Sequence, residues 1–160
     1  VLPFDAITVA PYMGRDSVDP FLAYTHKFTI VLGLTSNAGS QNFQQQKLAN
    51  GQFLYESVLE QVSSWGTPEQ MMFVVGATKA SDLESIRKII PNHFLLVPGV
   101  GAQGGSLADV TKFGINDSVG LLVNASRAVI FASNGNDFAE KAAIAAHQYA
   151  TEMKTLLTSL

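Results

Sequence analysis

Two short runs in this 160-residue chain carry the residue types that could grip an anion: Val97-Pro98-Gly99-Val100-Gly101-Ala102-Gln103-Gly104-Gly105 and, about twenty residues later, Val123-Asn124-Ala125-Ser126-Arg127. Each follows an apolar stretch, His93-Phe-Leu-Leu-Val97 and Val119-Gly-Leu-Leu-Val123, that gives way to small residues and then opens a helical pattern. The junction between a strand and a helix is where α/β proteins hold phosphate. Glycines let backbone N–H groups approach an oxyanion, a helix N-terminus adds partial positive charge, and the Arg127 guanidinium offers a bidentate fork. In a (β/α)8 barrel such a site is commonly built from the loops after the last two strands.

Other readings of the same residues are weaker. Gly99, Gly101 and Gly104 also satisfy the dinucleotide fingerprint, but they lie late in the chain, and no acidic residue closes a following strand where a ribose ligand belongs. A purely structural turn needs fewer than four glycines, a glutamine and a strand-end arginine.

The elements that would position these residues are five apolar runs, Ala6–Val9, Phe28–Leu32, Met72–Val75, Phe94–Val97 and Leu121–Val123. Unalternating runs of this length suit strands covered on both faces, hence a parallel sheet. Helical signals separate them. Asp19 before Pro20 starts one helix, and Leu54, Val58, Val62 and Trp65 share a face of the next. Ser81 with Glu84 forms a capping box that Pro91 answers at the far end, Ser106 caps Leu107–Phe113, and Asp137 opens a long helix striped by Phe138, Ala142, Ala145, Tyr149, Met153 and Leu156. The pattern is (βα)5 in one domain over residues 1–160. A complete eight-unit barrel takes ~250 residues, so five units are either part of a barrel or a complete doubly wound sheet, and periodicity does not separate the two.

Composition narrows the classes. The chain is 47% hydrophobic and 14% charged, which suits a buried core and not disorder, and its net charge of −3 gives no support for a nucleic-acid or membrane-surface partner. It has no cysteine, no signal-peptide pattern and no apolar run long enough to span a bilayer, so a cytoplasmic location is expected. It opens on Val1-Leu2-Pro3-Phe4 and runs almost at once into strand, so preceding βα units are expected to be absent.

Five segments in order, Asp5-Ala-Ile-Thr-Val-Ala-Pro-Tyr-Met-Gly14, Thr35-Ser-Asn-Ala-Gly-Ser40, Val74-Val-Gly-Ala-Thr78, Pro98 to Gly105 and Asn124-Ala-Ser-Arg-Ala-Val-Ile130, resemble the orotidine 5′-monophosphate decarboxylase family, in particular its longer bacterial subgroup. The resemblance covers nearly the whole chain. It departs at Ala38, where the family often has proline, and at Ala10, where it often has asparagine. It implies a partial TIM (β/α)8 barrel comprising about strands four to eight. It also implies an enzyme of pyrimidine biosynthesis that decarboxylates orotidine monophosphate to uridine monophosphate (UMP) without metal or cofactor. By the same resemblance Ser36 bonds the pyrimidine amide edge, Gln103 spans base and phosphate, and Arg127 takes the phosphate, assisted by backbone N–H groups at Gly104, Gly105 and Ser126. A hydroxyl and a carboxamide can read an imide edge, and a guanidinium suits a dianion.

The family's catalytic signature, Asp-x-Lys-x-x-Asp at the end of the third strand, is missing from this sequence. Glu152-Met153-Lys154 is the nearest spacing, and it belongs to the solvated face of the last helix. No catalytic residue is therefore expected in this chain, which carries the half of the site that takes the nucleotide monophosphate and its phosphate and by itself should not turn substrate over. A non-catalytic phosphate-binding module and another phosphate-sugar barrel enzyme are the alternatives. The partner expected besides the nucleotide is a second copy of the chain. His26 and His93 precede strands and His147 lies in the last helix, and no spacing suggests a metal site. Trp65 and the ten phenylalanines are expected in the core, Asp5 as a cap, and Arg15 and Asp16 in surface pairing.

Overall fold

The computed structural model describes residues 3–77, 80–101 and 104–159. Five strands, β1 (Ala6–Val9), β2 (Phe28–Leu34), β3 (Met71–Val75), β4 (Phe94–Pro98) and β5 (Leu121–Asn124), form one sheet in the order β1-β2-β3-β4-β5, every neighbouring pair parallel. Each strand lies beside its predecessor, with no reversal of direction across the sheet. A doubly wound fold needs such a reversal, and its ligand crevice forms there. Sequential order is that of a barrel, and the fold is a partial (β/α)8 barrel of five βα units.

The connecting helices are α1 (Asp19–Leu22), α2 (Leu54–Ser63), α3 (Ala80–Ile89), α4 (Leu107–Gly114), α5 (Ser126–Ile130) and α6 (Phe138–Thr158). Their starts are set partly as the sequence indicates. The Ser106 hydroxyl accepts the Asp109 N–H at 3.2 Å and caps α4. Ser81 instead falls inside α3, which begins at Ala80, and Glu84 reaches forward to Lys88 at 3.2 Å. Asp137 stands at the N-cap of α6, but its carboxylate accepts the Ser133 hydroxyl at 2.6 Å and no helical N–H. An unanticipated cap holds α2, where the Glu56 carboxylate accepts the Phe53 N–H at 2.8 Å.

Strand alternation sorts the sheet into two apolar faces. Met71, Phe73 and Val75 of β3 point to the helices and are fully buried, with Val31, Leu95 and Val97 beside them and Leu59, Val62, Leu83, Ile86 and Val110 above. Met72 and Val74 point the other way and join Ile30, with Leu32, Phe94 and Leu96 at its margin. This second cluster is the layer a barrel closes around. Toward the sheet edges it is open: Leu122 is 50% exposed on the edge strand β5, and Phe28 39% on β2, next to the edge strand β1. The expectation that the phenylalanines lie in the core therefore holds for Phe73, with Phe53, Phe94 and Phe113 packed against core residues, and fails for Phe4, Phe28, Phe43, Phe131 and Phe138, all exposed. Trp65 packs against the helix-side core. Of the α6 stripe, Tyr149, Met153 and Leu156 reach that core while Phe138 stays exposed.

Candidate functional site

Three loops converge at the C-terminal ends of the strands. Ser36 after β2, Pro98, Gly99 and Val100 after β4, and Asn124, Ala125, Ser126 and Arg127 after β5 line one cleft of about 160 Å³. That is smaller than the ~300–1,000 Å³ of a typical whole-ligand site, and fits a cleft that takes one end of a larger molecule. Ser36 and Arg127 thus share a cleft although 91 positions separate them in sequence. Gln103 lies outside the described residues.

The loop bearing Ser36 is fixed by a residue the sequence reading did not single out. Gln44 accepts the Thr35 N–H through its side-chain oxygen at 2.7 Å and donates to the Thr35 hydroxyl at 2.9 Å. The Thr35 hydroxyl in turn donates to Asn37 at 2.6 Å. Gln45 reaches Ser40 and Gln46 reaches the Gln41 carbonyl, so three successive glutamines tie down the turn at Ala38–Asn42. A run of three glutamines 8–10 positions beyond a strand-end serine was the available signal. Asn124 is the second omission. Its side-chain oxygen accepts both the N–H of Ser126 at 3.2 Å and its hydroxyl at 2.6 Å, shaping the turn that presents Arg127.

The glycine loop is also internally bonded. The Gly104 N–H donates to the Gly101 carbonyl at 2.9 Å and the Gly105 N–H to the Gly99 carbonyl at 3.3 Å, so these two groups, expected to face an anion, spend their hydrogens on the shape of the loop. A Cβ on Gly105 would lie 2.5 Å from the Ala77 Cβ, which makes close approach of β3 and β4 ends the reason for glycine there. Gly104 has open space around it, whereas the third glycine of a dinucleotide fingerprint is there for close helix packing. The helix after Ser126 is five residues long, so the cationic character of this corner rests on Arg127 more than on a helix dipole. Arg127 is exposed, and among the described residues no carboxylate pairs with it.

The remaining candidates sit away from the cleft. Arg15 pairs with Asp19 at 3.1 Å, not with Asp16, and Asp5 pairs with Lys27 at 2.9 Å beside the strand entrances. Glu152 and Lys154 are exposed on α6, His26 is exposed, and the exposed His147 lies 3.3 Å from the Thr151 hydroxyl. His93 is buried against Phe73, and burial, with Arg87 nearby, holds its pKa below the ordinary 6.5. A larger cavity of about 510 Å³ opens at the N-terminal ends of the strands, lined in part by Arg87, Asn116 and Asp117. Its arginine has another task. Arg87 donates to the carbonyls of Gly114, Ile90, His93 and Gly120 at 2.6–3.2 Å, binding α3, α4 and two strand entrances together. Burial lowers its pKa to about 10, which still leaves it charged at neutral pH. Among the described residues no cluster of His, Cys, Asp or Glu could hold a metal, and no helix is long and apolar enough to cross a membrane.

Residues 2–142 match the profile of the orotidine 5′-phosphate decarboxylase / HUMPS family. The chain belongs to this family. It is 56% identical over 158 residues to the orotidine 5′-phosphate decarboxylase of Flavobacterium johnsoniae, covering 99% of this chain and 58% of that protein. With the Porphyromonas gingivalis protein of the same name it is 58% identical over 142 residues, covering 89% and 51%. Among solved structures it superposes on Leishmania donovani UMP synthase with a TM-score of 0.81 at 37% identity, over 95% of this chain and 33% of that one. The Leishmania donovani OMP decarboxylase gives 0.75 at 34% identity, over 92% and 56%. The chain spans about half the length of the curated family members it matches.

Proposed function

We propose that this chain supplies the nucleotide-binding portion of an orotidine 5′-phosphate decarboxylase, as the C-terminal part of its barrel, and that alone it binds substrate and product without converting one to the other. The observation that carries the reading is the meeting of Ser36 and Arg127 on one cleft at the C-terminal strand ends. That is the face on which barrel enzymes build their sites. In this reading Arg127 takes the phosphate, Ser126, Gly99 and Val100 border it, and Ser36 meets the amide edge of the pyrimidine. The role of spanning base and phosphate falls to Gln103 by the family resemblance alone, since that residue lies outside the described ones.

Decarboxylation breaks the bond between the ring carbon and its carboxylate. Carbon dioxide leaves, the electron pair stays on the ring carbon, and a proton must then be delivered there. A lysine flanked by aspartates suits that step, and this sequence has no such run. Binding energy at the phosphate helps only when catalytic groups are placed to favour the transition state.

The test is an absorbance assay of orotidine monophosphate with the purified chain, alone and mixed with an N-terminal barrel fragment that contains an Asp-x-Lys-x-x-Asp run. Turnover is expected in the mixture only, and it disappears when that lysine is changed to alanine. Turnover by this chain alone, or UMP binding with no recovery in the mixture, overturns the reading; the second outcome favours a binding module.

A further inference from the structure

The last helix meets the anion loop at Gly101. Gly101 has a φ of +77°, and a Cβ on it would run into the Tyr149 hydroxyl on one side and lie 3.5 Å from the Ala128 Cβ on the other. Gly101 is therefore held between α6, through Tyr149, and α5, through the residue next to Arg127. The bonds inside the loop converge on the same residue. Gly101 donates its N–H to the Gly105 carbonyl at 2.9 Å and accepts the Gly104 N–H at 2.9 Å. Any shift of Gly101 shifts both arms of the turn.

Tyr149 is well placed to prevent that shift. It is half-buried on the helix-side core together with Met153 and Leu156, and Met153 is tied to α4 by the Thr111 hydroxyl, 3.8 Å from its sulfur. A tyrosine has few side-chain torsions, so its ring transmits the position of the helix with little slack. Among the described residues its hydroxyl has no hydrogen-bond partner, and its contact with Gly101 is steric. The oxygen acts as a stop.

We propose that Tyr149 is a positioning residue for the anion site, its hydroxyl propping Gly101 so that Gly99, Gly101, Gly104 and Gly105 keep their places relative to Arg127. The inference rests on the phosphate-site reading given above. It makes α6 a support for both halves of the site, since α6 also packs on α5.

The experiment is a calorimetric titration of the chain with inorganic phosphate and with UMP, in the parent, Tyr149→Phe, Gly101→Ala and the double variant, with thermal unfolding of each. Tyr149→Phe is expected to weaken phosphate and UMP binding roughly three- to tenfold through misplaced hydrogen bonds while the unfolding midpoint stays within about two degrees. Gly101→Ala should cost more affinity in the parent than in the Tyr149→Phe background, because the new methyl meets the hydroxyl only in the parent. Unchanged affinity in Tyr149→Phe, a loss matched by a fall in the midpoint, or strictly additive effects of the two changes would overturn the inference. A parent that binds phosphate with no preference for UMP overturns the nucleotide reading and leaves the Tyr149 result standing. A parent that binds neither overturns both.

Discussion

Ser36 and Gly76 approach so closely that position 76 has no room for a side chain: a Cβ there would lie 2.7 Å from the Ser36 Cβ and 2.7 Å from its backbone nitrogen. The Gly76 N–H meanwhile donates to the Leu34 carbonyl at 2.7 Å, locking the end of β3 to the end of β2. Ser36, which the proposed function assigns to the base, is thus held by a backbone without a side chain on the neighbouring strand.

Gly76→Ala should therefore damage both fold and site. The atoms it meets are backbone and Cβ atoms that cannot swing aside, so the β2 loop must move. Overpacking of this kind costs ~1–3 kcal/mol. Urea denaturation should show that loss, and titration with UMP should show weaker binding than the loss of stability accounts for. An alanine variant with the parent's stability and affinity would mean that the loop is not fixed where Ser36 now stands.

Arg127 should dominate the affinity for the phosphate. It is exposed at the cleft, and among the described residues no acid neutralises it. A charge-assisted hydrogen bond is worth ~1.5–3 kcal/mol, so Arg127→Ala should weaken UMP binding by about one to two decades. Arg127→Lys keeps the charge and loses the fork, and should fall between the two. Calorimetry at fixed ionic strength checks the order, and equal affinity of parent and alanine variant would remove Arg127 from the site.

The centre of the sheet was legible because its strands carry apolar residues on both faces. Met71–Val75 has every residue buried, and such a run reads as parallel strand without any help from alternation. The end points of the candidate cleft were legible too, since a strand-end glycine cluster and a strand-end arginine are local signals. What ties them down was not. Gln44 acts on Thr35 across nine positions, and Tyr149 meets Gly101 across 48, contacts that exist only once the chain is folded. The caps show the same limit. Ser106 works as its spacing indicates, whereas the Asp137 carboxylate goes to the Ser133 hydroxyl, a nearer donor that the cap pattern does not register. Asp19 and Pro20 likewise start a helix, but only four residues long.

The open edges should make the chain associate. Leu122 lies on β5 beside Leu96, facing the side a barrel would enclose, and at the other edge Ile7 on β1 is 46% exposed. Exposed strand edges and apolar faces are association liabilities. Sedimentation velocity should show species larger than one chain, and Leu122→Glu should shift them toward the monomer by placing charge on the exposed face. A parent that sediments as a compact monomer contradicts this.

Acid should weaken the fold through His93. Among the described residues its two buried ring nitrogens have no hydrogen-bond partner, its ring stands edge-on to Phe73 with centroids 5.2 Å apart, and its carbonyl accepts the Arg87 guanidinium at 2.6 Å. Burial, and then the charge of Arg87, push its pKa below the ordinary 6.5, with Glu69 pulling weakly the other way. The sign follows from linkage. With the folded pKa below the unfolded one, the unfolded chain binds the proton more readily, so stability is full above about 6.5 and falls as the pH drops from there toward the folded value. His93→Phe removes the titrating group and keeps an aromatic ring beside Phe73 and the backbone carbonyl for Arg87. Urea denaturation at pH 7.5 and pH 5 should show a smaller loss of stability in the variant than in the parent. An equal loss in both would place the acid sensitivity in another group.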